Sequence, residues 1–212
     1  MKRDSQVHLS RYFTGIRPGK HDRLLVQQAL CGEVALMLSL RPATFEDREV
    51  LRDLIARSAR QLSRADYRPE QVEGALCGAF GVDSQLIHDG TYFVAEEDGR
   101  IVGCGGWSYR RTLFGGDSRA ERDVGLLDPR TDAAKIRAFF VDPAHARRGI
   151  GTLLLDKCES EARARGFGHA EMMATLPGVR LYAARGYVET GRVSYEVAPG
   201  VAIEFVPMRK PI

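Results

Sequence analysis

No stretch of this 212-residue chain reaches the ~18 consecutive apolar residues that a membrane-spanning helix needs. Ala29 to Leu40 comes nearest, but Glu33 interrupts it and no small-residue cleavage site follows cleanly, so neither an anchor nor a signal peptide is expected. The 5 histidines fall in no HxxxH or HExxH spacing, so no metal is expected. The 4 cysteines (Cys31, Cys77, Cys104 and Cys158) lie far apart and include no CxxC pair. That spacing fits reduced thiols and a cytoplasmic protein better than a disulfide framework. An excess of one charge is lacking too. The net charge is +3, yet Met1 to Arg23 alone carries +4, which leaves the remainder at −1. A nearly neutral body argues against nucleic acid, and neither a nucleic-acid nor a membrane partner is expected.

Two nucleotide signatures are missing as well. The turn Arg147-Arg148-Gly149-Ile150-Gly151-Thr152 contains a GxG, but a dinucleotide fingerprint would need a third glycine where Leu154 stands. No Gly-Lys-Ser/Thr follows, so it is not a P-loop either. What is present is a short apolar run, Ile136 to Val141, then this turn, then Ile150, Leu153, Leu154, Cys158 and Ala162 at helical spacing. A helix start exposes unpaired N–H groups and a partial positive charge. With glycines beside it, strand, turn and helix form a phosphate cradle. On these residues alone, a turn whose glycines only permit tight packing explains the pattern as well.

The rest has ordinary globular composition, 44% apolar and 28% charged, at a length suited to one domain with an appendage. Residues 1–36 read as a weakly structured extension, with room for one short helix at 24–30 before Gly32. The domain is expected over 37–212. Met37 to Arg41 alternates like a strand. Thr44 to Asp47 looks like a helix cap, followed by Val50, Leu51, Leu54 and Ile55. A second helix starts near Pro69 and ends before Gly81. Asp98-Gly99 joins two apolar runs, 91–96 and 100–109, as a hairpin. Arg110 to Ala134 is a long polar connection, a length usually functional or disordered. Strands are expected at 169–175, 187–193 and 201–206, with a short helix at 179–184. The order β-α-α-β-β-β-α-β-α-β-β predicts a mixed α/β sheet with helices on both faces.

The turn resembles motif A of the GNAT superfamily of acyl-CoA-dependent N-acyltransferases, Gln/Arg-x-x-Gly-x-Gly/Ala, although the Gln/Arg position falls on Ala146 here. Leu181-Tyr182-Ala183-Ala184-Arg185-Gly186-Tyr187 resembles the family's second motif, F/L-Y-x-x-x-G-F/Y. The resemblance covers about Met37 to Val206. It implies a GNAT-like fold whose central strands splay apart, and acetyl-CoA as co-substrate with no metal. It implies that Phe139, Phe140 and Val141 pair with pantetheine, and that the turn Arg147, Arg148, Gly149, Ile150, Gly151 and Thr152 holds the pyrophosphate. An acetyl group would then pass directly to an amine, a small molecule by preference. A protein N-terminus or lysine as acceptor stays open, as does a non-catalytic acyl-CoA-binding module.

The resemblance makes Tyr182 the general acid toward the departing thiolate, where the residues alone favour a packing aromatic on an amphipathic helix. Glu171 is a candidate base, with a surface role or a water chain as alternatives. Trp107 and Tyr109 are candidates to line an acceptor pocket, or else form a cross-strand aromatic pair. The oligomeric state stays open, a homodimer among the options.

Overall fold

The computed structural model describes residues 24–25, 38–119 and 122–212. Along the chain run β1 (Leu24–Leu25), β2 (Leu38–Pro42), α1 (Arg48–Leu62), α2 (Pro69–Leu76), α3 (Ser84–His88), β3 (Tyr92–Glu97) and β4 (Arg100–Ser108). Then follow β5 (Ala134–Val141), α4 (Ile150–Ala164), β6 (His169–Thr175), α5 (Val179–Ala184), β7 (Val188–Glu189), β8 (Val193–Ala198) and β9 (Val201–Pro211). Among the described residues the strands form one sheet in the order β1-β2-β3-β4-β5-β6-β9-β7, with β8 also on β9. Every neighbouring pair is antiparallel except β5 and β6, which are parallel. The mixed sheet expected from the sequence is therefore the sheet observed.

Local chemistry explains most of these elements. Asp98 and Gly99 both take positive φ, 50° and 75°, as a two-residue hairpin turn requires. Thr44 and Asp47 form a capping box, the Thr44 amide donating to Asp47 Oδ2 at 2.7 Å. The α1 helix then buries Leu51, Leu54, Ile55 and Ala59 but leaves Val50 exposed, which narrows the apolar stripe expected there.

Helices cover both faces. On one, α4 and α5 bury Ile150, Leu154, Leu155, Cys158, Ala162 and Tyr182 against Phe93, Trp107, Ile136 and Met172. On the other, α1, α2 and α3 bury Leu51, Leu54, Val72, Ala75 and Leu86 against Tyr92, Val94, Cys104 and Phe205. Gly103 lets α4 approach closely, because a Cβ there would stand 2.6 Å from Ile150 Cγ2.

Three expectations need correction. Leu24–Leu25 pairs with β2 as a strand, not as part of a helix, and 26–37 lie outside the described residues. The α3 helix was not expected, since five residues carry no helical period. Its signal is Asp83, whose side chain caps it by accepting from the Gln85 amide at 3.2 Å. Finally, the chain after Tyr187 splits into β7 and β8, and β9 runs on to Pro211. That extra length pairs with β6 over its full span, from Thr175↔Phe205 to His169↔Pro211, so tertiary pairing carries the strand past its apolar run.

Candidate active site

The two parallel central strands are joined only at Ala134↔Ala170 and Lys135↔Glu171. Beyond Lys135 the ladder between β5 and β6 stops, and β5 runs on to Val141 with one edge facing the gap. In that opening lies a cavity of about 70 Å³. Phe139, Met172, Tyr182 and Thr175 line it, together with Phe80, Phe114, Phe205, Met173 and Arg137.

A bulge shapes one wall. The β4–β5 register shifts between Cys104 and Gly106, so that Ala138 and Phe139 stand opposite Gly105 alone. Ala138 takes φ 56°, a strained value for a residue with a Cβ. Its carbonyl lies 3.4 Å from the buried Tyr92 hydroxyl and 3.7 Å from Cys104 Sγ. The bulge sends Phe139 toward α5 and Phe140 toward Phe80, 5.8 Å between ring centroids. A Cβ on Gly105 would sit 2.8 Å from the Phe139 ring, so glycine there makes room for it.

Tyr182 on α5 is buried and meets Phe139 edge to face at 6.2 Å. Burial pushes its hydroxyl well above the usual tyrosine range, and among the described residues no hydrogen bond offsets this. The ring is thus held as a neutral phenol with its donor unspent, at a cavity wall.

Past Val141, Asp142 caps a short turn by accepting from the Ala144 amide at 2.9 Å. Arg147 takes φ 65° and Gly149 φ 85° before α4 begins at Ile150. Among the described residues nothing lies within 4 Å of where a Gly149 Cβ would point, whereas a Cβ on Gly151 would meet Leu181 Cδ2 at 2.9 Å. The two glycines therefore differ: Gly149 borders open space, and Gly151 lets α5 pack on α4. The Arg148 guanidinium grips Glu97 at 3.0 and 2.6 Å, and His145 Nε2 lies 3.1 Å from the same carboxylate. The side chain of Arg148 anchors the turn to the end of β3, which leaves backbone amides of the first α4 turn to meet an anion.

The geometry does not bring every candidate here. Glu171 lies where β5 and β6 still pair, ion-paired with Lys135, and does not line the cavity. Trp107 is 0% exposed, packed on Phe167 at 6.0 Å, with Nε1 donating to Glu161 Oε2 at 3.3 Å. Tyr109 packs against Trp107 and under Arg165, so neither aromatic reaches the cavity. Both point to the α4 face, because the alternation of β4 sends Trp107 there. The cross-strand explanation also fails for this pair, since both sit on one chain segment.

Arg137 was missed. Its side chain is 2% exposed, Nη2 donating to Gly115 O at 2.9 Å and standing 2.5 Å from Asp83 Oδ2. Desolvation lowers its pKa to about 10, still far above neutrality. An arginine inside an apolar strand run was the available signal. The long connection folds back across this site: Thr112 N donates to Asp123 O at 2.8 Å, and Arg122 reaches Asp83 at 2.5 Å. Its Leu113, Phe114 and Gly115 roof the cavity.

Among the described residues no group of three His, Cys, Asp or Glu side chains is placed to hold a metal ion, and no helix is long and apolar enough to cross a membrane.

The sequence model of the acetyltransferase (GNAT) family matches residues 53–187. No curated protein matches the chain. Among solved structures, a GCN5-related N-acetyltransferase from Rhodopseudomonas palustris is 25% identical, with a TM-score of 0.62 over 85% of this chain and 100% of that one. The PaiA N-acetyltransferase from Thermoplasma acidophilum, in complex with coenzyme A, is 14% identical, with a TM-score of 0.56 over 82% and 99% of the two chains. A ribosomal-protein-alanine N-acetyltransferase from Brucella melitensis is 19% identical, with a TM-score of 0.52 over 82% and 99%. The last two likenesses are of fold alone.

Proposed function

The chain belongs to the acetyltransferase (GNAT) family, and from that premise we propose that it is an acetyl-CoA-dependent N-acetyltransferase acting on a small-molecule amine, with residues 37–212 as its catalytic domain. The observation that carries this reading is the parting of β5 from β6 beyond Lys135, with a cavity at the opening. The edge of β5 that faces the gap, at Phe139, Phe140 and Val141, is suited to pairing with the amides of pantetheine, where the Val141 amide now donates to Ser58 Oγ at 3.3 Å. The first turn of α4, with Gly149 beside open space, is suited to the pyrophosphate. Acetyl-CoA thus fits the groups present as a co-substrate.

The chain's own residues then have limited work to do. The attacking nitrogen must be neutral, and it releases its proton to water, since Glu171 is held by Lys135 away from the cavity. As the nitrogen bonds to the acetyl carbon, the carbon–sulfur bond breaks and the sulfur takes up charge. Tyr182 donates a hydrogen bond to that sulfur, or its hydroxyl proton, in which case the phenol regains a proton from water and the proton lost by the nitrogen balances the step. No side chain is acylated.

Thiol release from acetyl-CoA, measured over a panel of amines, amino acids and peptides, tests the reading. Amine-dependent release, with acetylated amine found by mass spectrometry, is expected. Binding of acetyl-CoA without turnover on any acceptor would make the chain a sensor module instead.

A further inference from the structure

The cavity has one charged wall. Among the described residues lining it, Arg137 alone carries a charge, and none is a carboxylate. Among the described residues Arg137 makes one hydrogen bond, to Gly115 O, and its buried Nε has no partner. Buried polar groups of this kind are normally satisfied, so a guanidinium donor without a partner among the described residues calls for an explanation. Its counter-ion is shared: Asp83 faces Arg137 with one oxygen and Arg122 with the other, each at 2.5 Å. Asp117, the second partner of Arg122 at 3.3 Å, is itself shared with Arg48 at 3.6 Å. A further guanidinium, that of Arg119, stands 4.2 Å over the ring of Phe114, which lines the cavity. This side of the cavity therefore carries more cation than anion. Apart from Thr175 and the Tyr182 hydroxyl, its other walls are apolar, with Phe80, Phe114, Phe205 and Met173 prominent.

A cationic amine alone would gain nothing from such a site. A molecule with a carboxylate near its amine and an apolar body would satisfy every wall. We propose that the acceptor is an apolar amino acid, its carboxylate received by Arg137 and its side chain by Phe80, Phe114 and Phe205. The proposal rests on the acetyl-transfer reading above and narrows the acceptor within it. A guanidinium matches a carboxylate in geometry as well as charge, which an ammonium does not.

Matched acceptor pairs provide the test: phenylalanine against phenethylamine, and methionine against 3-(methylthio)propylamine. In the wild-type chain kcat/KM is expected to favour the amino acid by about ten- to a hundredfold, the range of a hydrogen bond to a charged group. Arg137→Gln should bring each pair to within about threefold of parity, mainly through KM for the amino acid, and leave the plain amine little changed. Arg137→Lys should fall between. Because Arg137 also holds Gly115 and Asp83, a loss of folding in the variants is separated from a loss of binding by a second measurement on the wild-type chain. Inhibition by 3-phenylpropanoate should exceed that by 3-phenylpropanol by about tenfold or more. Parity within pairs in the wild type would overturn the proposal and leave acetyl transfer standing. Equal losses for both members of a pair in Arg137→Gln would reduce Arg137 to a loop anchor. Failure to acetylate any acceptor would overturn the underlying reading, and the proposal with it.

Discussion

The rings of Phe139 and Tyr182 meet edge to face, 6.2 Å between centroids. One comes from the bulged strand beside the gap and the other from the short helix that follows β6. Their contact closes the α4 side of the cavity and sets where the phenol points. Tyr182 is also 6.0 Å from the ring of Tyr187, so it is fixed from both sides.

That fixation makes Tyr182→Phe an informative variant. The ring contacts survive, and only a hydroxyl that makes no hydrogen bond among the described residues is lost. General acid contributions run to about 10²–10⁴ in rate, so kcat should drop at least ~10-fold while acetyl-CoA affinity stays within about twofold. Stability should hold or rise slightly. Near-normal kcat with chemistry rate-limiting would leave Tyr182 a packing residue.

Gly149 offers a test of the anion cradle that Gly151 does not. A side chain at Gly151 strikes Leu181, so a loss of binding there would mix packing with charge. Gly149 has open space and φ 85°, a conformation that Asp and Asn tolerate better than other residues. Gly149→Asp should weaken acetyl-CoA binding at least ~10-fold by calorimetry, since one unfavourable charge contact of ~1.4 kcal/mol is tenfold. Gly149→Asn, of the same size and uncharged, should retain most of the affinity. Equal effects of the two would show that charge at this turn is irrelevant.

Asp83 is 0% exposed and lies between two guanidiniums, that of Arg137 buried as well. Asp83→Asn removes the anion, which takes from Arg137 its counter-ion and leaves Arg122 to Asp117. Breaking a buried pair by deleting one partner costs about 3–5 kcal/mol. For a domain of this size that is a fall in Tm of roughly 6 °C or more. Scanning calorimetry reads it directly, and a change under ~2 °C would deny the cluster its anchoring role.

Acid should loosen the start of α1. Asp47 is held below the usual carboxylate range chiefly by its hydrogen bonds from Arg41, with help from the Thr44 amide. A carboxyl whose folded pKa lies below its unfolded value, ~3.9, stabilises the fold above that value. The contribution is lost as pH falls through the folded pKa. Asp47→Asn should therefore lower Tm at pH 6, and the gap to wild type should shrink on going to about pH 3. A gap independent of pH would mean that the Asp47 charge contributes nothing.

Some of this was legible in the residues and some was not. The Asp98-Gly99 hairpin, the α4 stripe from Ile150 to Ala162 and the Gly149 turn follow from neighbours a few positions apart. Positive φ and helical period are local properties, so a local reading finds them. Tyr182 could be named because its segment has a recognisable pattern, and the structure then supplied its burial and its place on the cavity. The opening between β5 and β6 belongs to another scale. No residue near Lys135 says that pairing with Glu171 is the last rung, because strand separation depends on what packs on each face. The same cause removed Trp107 and Glu171 from the cavity: one is buried under α4, and the other is neutralised by a strand partner 36 residues away. It also brought Arg137 in, through Asp83 and Gly115 from distant loops. Sequence determined which backbone turns and amphipathic faces form. Only the packing of distant segments decided which side chains share the cavity, since burial and counter-ions are set by contacts made across the chain.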